Sequence, residues 1–253
     1  MKQLVQNLLG KFGYAIRRTS TLHGYDPGSV TRPIGNVELF LEDVRARGFV
    51  PRGIIDVGAY KGEWAGMALS VFPGTPVLMI EPQDEMEPYL SALVKSAPGC
   101  HFIKAGAGRQ TGELLQNMGG DNSGSSFLPG AGPAQAGKQR KCPIITIDSV
   151  LARDFPKFVP DLVKLDVQGF ELEALSGAET LFGKTEIFIL EVSLFPFSPG
   201  WPLAREVISF MSARAYELYD VPGYGRRPFD GALGQLDLAF VKANGTFRKV
   251  TTW

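Results

Sequence analysis

Short apolar segments alternate with helical segments through most of this chain, and this alternation constrains the fold more than any other feature. From residue 53 onward the strand candidates are GIIDV, PVLMIE, CHFIKA, PIITI, DLVKLDV, EIFILEV, AYELYDV and QLDLAFVK. Helical stretches such as EWAGMALSVF and WPLAREVISFMSAR lie between several of them. Strands that are apolar throughout and alternate with helices indicate a parallel sheet covered on both faces. The sequence therefore predicts a doubly wound α/β fold.

The two ends of the chain depart from this alternation. Only the turn-rich segment PGYGRRPFDGALG separates the last two strand candidates, which predicts a C-terminal hairpin with the final strand antiparallel. At the other end, residues 1–48 contain helical patterns and no strand candidate. With 253 residues, 44% of them hydrophobic, the chain can bury a large core. We expect an N-terminal helical extension over residues 1–48 and one α/β domain over residues 49–253.

The first helical pattern, KQLVQNLLGKFGYAIRR at residues 2–18, carries apolar residues at helical spacing and basic residues among the polar positions. Such a helix can dock on its own domain, dock on a second copy of the chain to form a homodimer, or make peripheral contact with an anionic membrane surface. Gly10 and Gly13 weaken it as an isolated helix, which favours docking.

Charge and cysteine content exclude some partners and locations. Lys and Arg together number 26 and balance 26 Asp and Glu, so no net positive charge attracts nucleic acid and we expect no nucleic-acid partner. Cys100 and Cys142 lack CxxC spacing and fit a reducing compartment. No apolar run reaches the roughly 18 residues of a membrane span, and the N-terminus lacks signal-peptide features. We therefore expect a cytoplasmic location without a transmembrane segment.

The junction between the first strand and the following helix, GIIDVGAYKGEWAGMAL, places Asp56, Gly58 and Gly62 close together. In open α/β sheets, ligands bind beyond the carboxyl ends of the strands, next to such a turn. Gly58 lets the backbone turn sharply and approach a ligand, and Gly62 clears space where the helix begins. A dinucleotide site needs the pattern GxGxxG, but Tyr60 and Glu63 stand at the second and third glycine positions. The sequence therefore disfavours a dinucleotide.

Two carboxylates indicate a different ligand. Asp56 ends the first strand, where it would repel a pyrophosphate but accept the ammonium group of a methionine moiety. Glu81 ends the second strand, where a carboxylate can bind both hydroxyls of a ribose. Each residue alone has a simpler reading as part of a turn or a helix start, but together they suggest S-adenosylmethionine. The expected cofactor-binding residues are Asp56, Gly58, Ala59, Tyr60, Gly62, Glu81, Pro82, and the Gly106 and Ala107 that follow the third strand near the adenine.

The segment VKLDVQGFELEAL supplies the candidate catalytic residues. Asp166 ends a strand, Glu171 enters the first turn of a helix, and Glu191 ends the next strand at the same rim. Three carboxylates around one cleft are costly unless they have a function. They can deprotonate an acceptor hydroxyl, orient sugar hydroxyls, or bind a divalent cation such as Mg²⁺ through Asp166 and Glu191. In a simpler alternative, Glu171 caps its helix and Glu191 pairs with a lysine.

The acceptor side of the cleft is predicted from composition. Residues 106–141 are rich in Gly, Ser and Ala without clear periodicity, which predicts a substrate lid or a partly disordered segment. Small polar side chains suit a hydroxyl-rich acceptor, and aromatic side chains after Glu191 suit stacking on a sugar ring or a place in the core. The candidate substrate-binding residues are Ser125, Ser126 and Gln168, with Phe195, Phe197 and Trp201 as the aromatic group.

Several motifs occur in a familiar order over roughly residues 50–195: DVGAYKG, IEPQ, TIDSVL, VKLDVQGFELEALSGAETL and ILEVSL. In these motifs the chain resembles the FkbM family of S-adenosylmethionine-dependent methyltransferases. The resemblance implies a class I, Rossmann-like methyltransferase domain with a mostly parallel seven-stranded sheet, acting on hydroxyls of sugars, glycans or polyketides. One residue departs from the family pattern: Tyr60 stands where an asparagine is usual, so a phenol replaces that amide or the polar contact is missing.

Three functions are compatible with these motifs. The first is O-methylation of a sugar, a glycan or a polyketide-type small molecule, with Asp166 as the acceptor-side base or as a metal ligand. The second is N-methylation of a nucleobase or protein, which is disfavoured because DVQG replaces the [DN]PP[FYW] motif of such enzymes. The third is an inactive cofactor-binding module, which would tolerate loss of Asp166. The acceptor, the metal requirement and the oligomeric state are left open by the sequence.

Overall fold

The computed structural model describes residues 30–119, 122–128 and 139–252. Short 3₁₀ turns at Asp84–Met86, Glu179–Leu181 and Thr246–Arg248 join the longer elements. The helices are α1 (Val37–Ala46), α2 (Glu63–Val71), α3 (Glu87–Ser96), α4 (Ile147–Asp154), α5 (Glu171–Ser176) and α6 (Ala204–Ser212). The strands are β1 (Ile54–Val57), β2 (Val77–Ile80), β3 (Cys100–Ile103), β4 (Gly106–Ala107), β5 (Gly112–Asn117), β6 (Gln139–Ile145), β7 (Leu162–Leu165), β8 (Ile187–Ser193), β9 (Tyr216–Arg226) and β10 (Leu233–Lys242).

The main sheet has seven strands in the order β3-β2-β1-β7-β8-β10-β9. The pairs from β3 to β8 are parallel, and β10 runs antiparallel to both β8 and β9. This order confirms the predicted α/β fold, including the C-terminal hairpin and its antiparallel final strand. The winding direction reverses between β1 and β7, and a ligand crevice is expected at such a reversal.

Helices cover both faces of the sheet. Alternate residues of each strand point to opposite sides, so one strand contributes to two separate cores. In β1, Ile55 and Val57 pack into one core with side chains from α4, α5 and α6. Ile54 packs into the other core with side chains from α1, α2 and α3. Asp56 shares the face of Ile54, so its carboxylate points toward the side covered by α1, α2 and α3.

A second, three-stranded sheet was not predicted, and it corrects two expectations. The order is β4-β6-β5, with β4 parallel and β5 antiparallel to β6. The PIITI segment, expected in the main sheet, instead ends β6 and begins α4. Residues 106–141, expected to lack regular structure, contain β4, β5 and the start of β6, while 120–121 and 129–138 lie outside the described residues. Most side chains of β5 are exposed, so its sequence lacks the alternation of apolar and polar residues that predicts a strand.

Helix α1 packs on the domain although its sequence was assigned to the extension. Its side chains Phe40, Leu41 and Val44 are buried in the same core as residues of β1 and β8. The Asn36 side chain caps the helix by accepting a hydrogen bond from the Leu39 N–H at 3.0 Å. The basic amphipathic segment 2–18 lies outside the described residues, and the division at residue 48 stays a prediction. None of the helices in the described ranges is long and apolar enough to cross a membrane.

Candidate active site

A cleft opens at the carboxyl ends of β1, β2 and β7, with the second sheet along one side. Its empty volume is about 640 Å³, counted out to the open mouth and including open solvent. Most of the predicted cofactor residues meet there, together with the predicted acceptor-side aspartate. The lining includes Gly58, Tyr60, Glu81, Pro82, Gln83, Gly106, Ala107, Gln116, Ser125, Phe127, Asp166 and Gln168.

The turn after β1 has a backbone that requires glycine. Gly58 has a φ of 75°, and a Cβ at this position would collide with the carbonyl oxygen of Asp166. Gly62 also has a positive φ, 77°, and lies immediately before α2. Tyr60, between them, has a φ of 48°, which is unusual for a bulky residue. The backbone of this turn therefore lies close to the end of β7. A side chain at residue 58 would occupy the space between the turn and the Asp166 carbonyl.

Glu81 is buried beside this turn and organises it. Its two carboxylate oxygens accept hydrogen bonds from the backbone N–H groups of Tyr60 at 2.9 Å and Gln83 at 3.0 Å. Burial raises the pKa of Glu81, and these two hydrogen bonds act against that rise. A carboxylate oxygen can accept more than one hydrogen bond, so Glu81 can hold the turn and still bind ribose hydroxyls.

The second sheet and the following loop form the opposite wall. Gly106 and Ala107 of β4 line the cleft, and a Cβ on Gly106 would lie 2.7 Å from the Phe127 ring. Ser125 also lines it, and its hydroxyl accepts a hydrogen bond from the Gly119 N–H at 3.0 Å. Ser126 does not line the cleft, because its hydroxyl donates to the Gln168 carbonyl at 2.6 Å. Ser126 therefore supports the Gln168 turn from behind.

Asp56 lies behind the wall of the cleft rather than on its surface. Its side chain is fully buried, and within the described part of the chain neither carboxylate oxygen has a well-formed hydrogen bond. The ammonium group of Lys164, 3.4 Å from Oδ1, supplies the compensating charge. Burial raises the pKa of Asp56, while Lys164 lowers it. Ala59 and Gly62 likewise lie outside the lining, in the turn that supports it.

Asp166 and Glu191 are joined by the side chain of Gln168. The Gln168 amide nitrogen donates to Asp166 Oδ1 at 2.8 Å and to Glu191 Oε2 at 2.9 Å. A second amide, that of Gln235 on β10, donates to the same Glu191 oxygen at 2.8 Å. Gln168 has a positive φ of 53°, and strained backbone of this kind is frequent at functional sites. The structure therefore brings the two predicted carboxylates together, with Asp166 on the cleft surface.

Burial and mutual repulsion raise the pKa values of the surrounding carboxyl groups. Burial raises the pKa of Glu191 well above its usual value, and the neighbouring charges of Asp166, Glu171 and Asp237 raise it further. Burial also raises the pKa of Asp237 to about 6. Burial raises the pKa of Glu171 to about 7, although its Oε1 accepts hydrogen bonds from Val167 N–H at 3.0 Å and Gly169 N–H at 3.2 Å. Glu171 thus braces the turn from below and does not line the cleft.

The arrangement does not fit a divalent cation. An amide N–H₂ group stands between Asp166 and Glu191 and donates to both, in the position that a shared metal ion would need. In the described ranges, no group of three or more His, Cys, Asp or Glu side chains is placed to hold a metal. We therefore assign no step to Mg²⁺.

Several side chains of this site were not predicted: Gln83, Gln116 and Phe127 in the lining, and Lys164, Gln235 and Asp237 behind it. Lys164, Gln235 and Asp237 all lie within apolar strand sequences, VKLDV and QLDLAF, where a polar residue interrupts a buried run. Such interruptions were the available signal, but their partners come from different strands and are set by register.

The cleft fits S-adenosylmethionine. The glycine turn at residue 58 leaves room for close approach, Glu81 offers acceptors to a ribose, and the acidic character suits a cation rather than a pyrophosphate. The fold and the cleft together define a class I methyltransferase. Comparison with known families identifies the family within this class: the methyltransferase FkbM domain matches residues 56–218. The chain therefore belongs to that family and is an S-adenosylmethionine-dependent methyltransferase.

Several solved structures are similar to this chain at low sequence identity. The precorrin-6y C5,15-methyltransferase of Geobacter metallireducens GS-15 has a TM-score of 0.45 and 11% identity, covering 81% of this chain and 87% of that one. A putative RNA methyltransferase of Pyrococcus horikoshii has a TM-score of 0.45 and 11% identity, covering 81% and 83%. WbdD has a TM-score of 0.44 and 17% identity, covering 79% of this chain but only 37% of its own. No curated protein matches the chain at a significant level.

Proposed function

We propose that this enzyme transfers a methyl group to a hydroxyl oxygen of a sugar, a glycan or a polyketide-type small molecule. The observation that carries the proposal is the carboxylate of Asp166, which lies on the cleft surface and is held by the Gln168 amide at 2.8 Å. A hydroxyl needs a base during methyl transfer, and a carboxylate fixed beside the methyl donor can accept its proton.

The residues of the chain divide between the two substrates. When bound, S-adenosylmethionine supplies an electrophilic methyl group on a sulfonium. Glu81 would hold the ribose hydroxyls, and the backbone after β1 would lie along the methionine end. Gly106 and Ala107, next to Phe127, would face the adenine. Asp56 would support the turn from behind through Lys164, a different role from the direct ammonium contact expected from the sequence.

On the acceptor side, Asp166 would take the proton of the hydroxyl as the new carbon–oxygen bond forms. The Gln168 side-chain amide fixes the orientation of Asp166. The backbone carbonyl of Gln168 accepts a hydrogen bond from the Ser126 hydroxyl at 2.6 Å. Such alignment is a large part of catalysis, because an in-line displacement requires both reacting atoms at a defined separation and angle. The walls of the cleft would also exclude water, which otherwise solvates the hydroxyl and weakens its attack.

Aromatic side chains next to Gln168 support a sugar or another ring-shaped acceptor. A Cβ on Gly169 would lie 2.7 Å from the Trp201 ring, so the indole packs directly on this turn. Phe197 meets Trp201 edge to face with ring centroids 5.6 Å apart, and 41% of its surface is exposed. Amides and carboxylates beside an aromatic ring can recognise both the hydroxyls and the apolar face of a sugar. Among the described residues that line the cleft, none specifically favours nitrogen methylation.

The Asp166→Asn variant tests the proposal. We expect its affinity for S-adenosylmethionine to fall by no more than about ten-fold, because only the charge that faces the sulfonium is lost, and its turnover at saturating cofactor to be about 10²–10⁴-fold lower, the usual contribution of a general base. The assay would measure S-adenosylhomocysteine formation with a panel of glycosides and polyketide-type alcohols. Glu173→Gln is the matched control, because Glu173 pairs with Arg109 at 2.9 Å on the exposed surface. Undiminished turnover in Asp166→Asn, or product methylated only on nitrogen, would contradict the proposal.

Other expectations from the sequence also stand as proposals. A homodimer and a membrane contact depend on the segment 2–18, which lies outside the described residues, whereas a cytoplasmic location depends on the interpretation of Cys100 and Cys142 as thiols of a reducing compartment. We propose docking of that segment on the domain or on a second copy. A size measurement of the full chain in solution, compared with a chain lacking residues 1–18, would distinguish a dimer from a monomer.

A further inference from the structure

Lys164 is buried in the middle of β7, a strand that is otherwise apolar. Val163 and Leu165, its neighbours along the strand, pack into the core on the α4, α5 and α6 side. The lysine points to the opposite face and keeps only about 8% of its surface exposed. Lysine is almost never buried to this extent unless it is paired, so the groups around its ammonium explain why it is there.

The ammonium group of Lys164 contacts three parts of the site at once. It donates to the Gly58 carbonyl at 3.3 Å. It lies 3.4 Å from Asp56 Oδ1 and 3.5 Å from Asp166 Oδ2. An ammonium group has three N–H donors, which matches three acceptors from the end of β1, the turn after it and the end of β7.

We infer that Lys164 is a positioning residue, which holds the Gly58 carbonyl beside the methyl donor and the Asp166 carboxylate beside the acceptor at a fixed separation. The inference rests on the proposed function, because that function places Asp166 on the acceptor side. One rigid side chain spanning both half-sites meets the demand for alignment of the reacting atoms. Gln168 constrains the other oxygen of Asp166, so the carboxylate is held from two sides.

The charge state of Lys164 supports this role. Burial lowers the pKa of Lys164, but the carboxylates of Asp166 and Asp56 outweigh burial and raise the pKa above its ordinary value, helped by Glu191 and Asp237. The side chain is therefore an ammonium ion, and its charge partly neutralises Asp166 where that residue faces the cleft. Without Lys164, Asp166 would present more negative charge to the cleft and would move more freely.

This arrangement makes a prediction that separates positioning from mere stability. S-Adenosylmethionine carries a sulfonium charge, whereas S-adenosylhomocysteine has a neutral thioether at the same place. Loss of Lys164 should weaken both ligands through the loosened turn, but it should weaken the cation less, because Asp166 is no longer neutralised. A lysine that stabilised the fold without lying near the sulfonium would weaken both ligands equally.

The experiment is calorimetric titration of both ligands into the wild type, Lys164→Met and the double variant Asp56→Asn/Lys164→Met. The double variant is needed because methionine alone leaves the Asp56 carboxylate buried without a counter-charge, which is strongly destabilising. We expect S-adenosylhomocysteine to bind about 3–10-fold more weakly, a loss comparable to that of one hydrogen bond of ordinary strength. We expect the ratio of the S-adenosylmethionine and S-adenosylhomocysteine affinities to shift at least about five-fold toward S-adenosylmethionine. A shift of this size corresponds to the interaction between the sulfonium and one unit charge within the site at a high effective dielectric constant.

Lys242→Met provides the matched control, because it breaks a comparable pair with Glu186, at 2.7 Å, near the amino end of β8 and far from the cleft. Its affinity ratio should equal that of the wild type. An unchanged ratio in every folded Lys164 variant would overturn the positioning role while leaving the proposed function intact. If the wild type binds neither ligand, the proposed function fails, and the role of Lys164 fails with it.

Discussion

Glu171 is a buried carboxyl group whose ionisation opposes folding. Its pKa is raised to about 7 by burial in the folded protein, compared with 4.5 for an exposed glutamate. Between these two values the folded chain keeps a proton that the unfolded chain has released. Because the folded state then binds more protons, stability falls as the pH rises through this interval, and the loss is complete above about pH 7. The raised pKa of Asp237, about 6, acts in the same direction.

The Glu171→Gln variant should therefore be less sensitive to pH than the wild type. The glutamine oxygen can still accept hydrogen bonds from the Val167 and Gly169 N–H groups, so the turn keeps its support. We expect the wild type to lose up to about 3 kcal/mol of unfolding free energy from this group between pH 5 and 8, and the variant to lose less. Urea unfolding at several pH values measures this. Parallel stability curves for the two proteins would show that Glu171 is ionised throughout.

The side chains around Asp166 show which residue-level features a sequence can reveal. Asp166, Glu171 and Glu191 were identified because each ends a strand or begins a helix at the predicted rim. Their separate roles could not be predicted. The Glu171 carboxylate accepts a hydrogen bond from the Val167 backbone N–H, whereas Glu191 accepts hydrogen bonds from the side-chain amides of Gln168 and Gln235. Those tasks depend on side-chain direction and strand register, which spacing along one strand does not specify.

At the scale of elements, the turn between β1 and α2 has the tightest backbone requirement. Gly58→Ala would place a methyl group against the Asp166 carbonyl at a positive φ. We expect a loss of several kcal/mol in stability, because both strain and overlap must be relieved, with binding of S-adenosylmethionine lost. Thermal unfolding and calorimetric titration would measure the two effects.

Gly66, within α2 itself, is the matched control for that substitution. A Cβ there would meet nothing within 4 Å, and alanine is favoured over glycine in a helix by about 1 kcal/mol. Gly66→Ala should therefore raise the melting temperature and leave cofactor affinity unchanged. Equal effects of the two substitutions would contradict the special conformation assigned to Gly58.

Elements of the main sheet were predictable where burial is complete. Strands β1, β2 and β7 are buried along their whole length, so each is apolar except for Asp56 in β1 and Lys164 in β7. Strand β5 has mostly exposed side chains and depends on pairing with β6, a contact between segments separated in sequence. The second sheet was not predicted for this reason. Ser125, in the loop after β5, lines the cleft.

For the whole molecule, fold and family follow from several agreeing features. The strand order reverses at β1, the glycine turn lies at that reversal, and Glu81 and Asp166 come from the two strands that flank β1. The identity of the acceptor could not be read in the same way, because it depends on surface side chains such as Phe197 whose packing carries no sequence signature. The N-terminal segment is a further case, since its docking partner is not encoded in its periodicity.

The most direct measurement is calorimetric titration of S-adenosylmethionine into the wild type and Glu81→Gln. The glutamine keeps the size of Glu81 but removes its charge and one of the two acceptor oxygens, which hold the Tyr60 and Gln83 N–H groups and which we propose bind the ribose. We predict one bound molecule per chain in the wild type and an affinity at least about ten-fold weaker in the variant, the loss of roughly one charge-assisted hydrogen bond. NAD should not bind either protein. Equal affinity of the two proteins for S-adenosylmethionine, or binding of NAD in its place, would contradict the site described above.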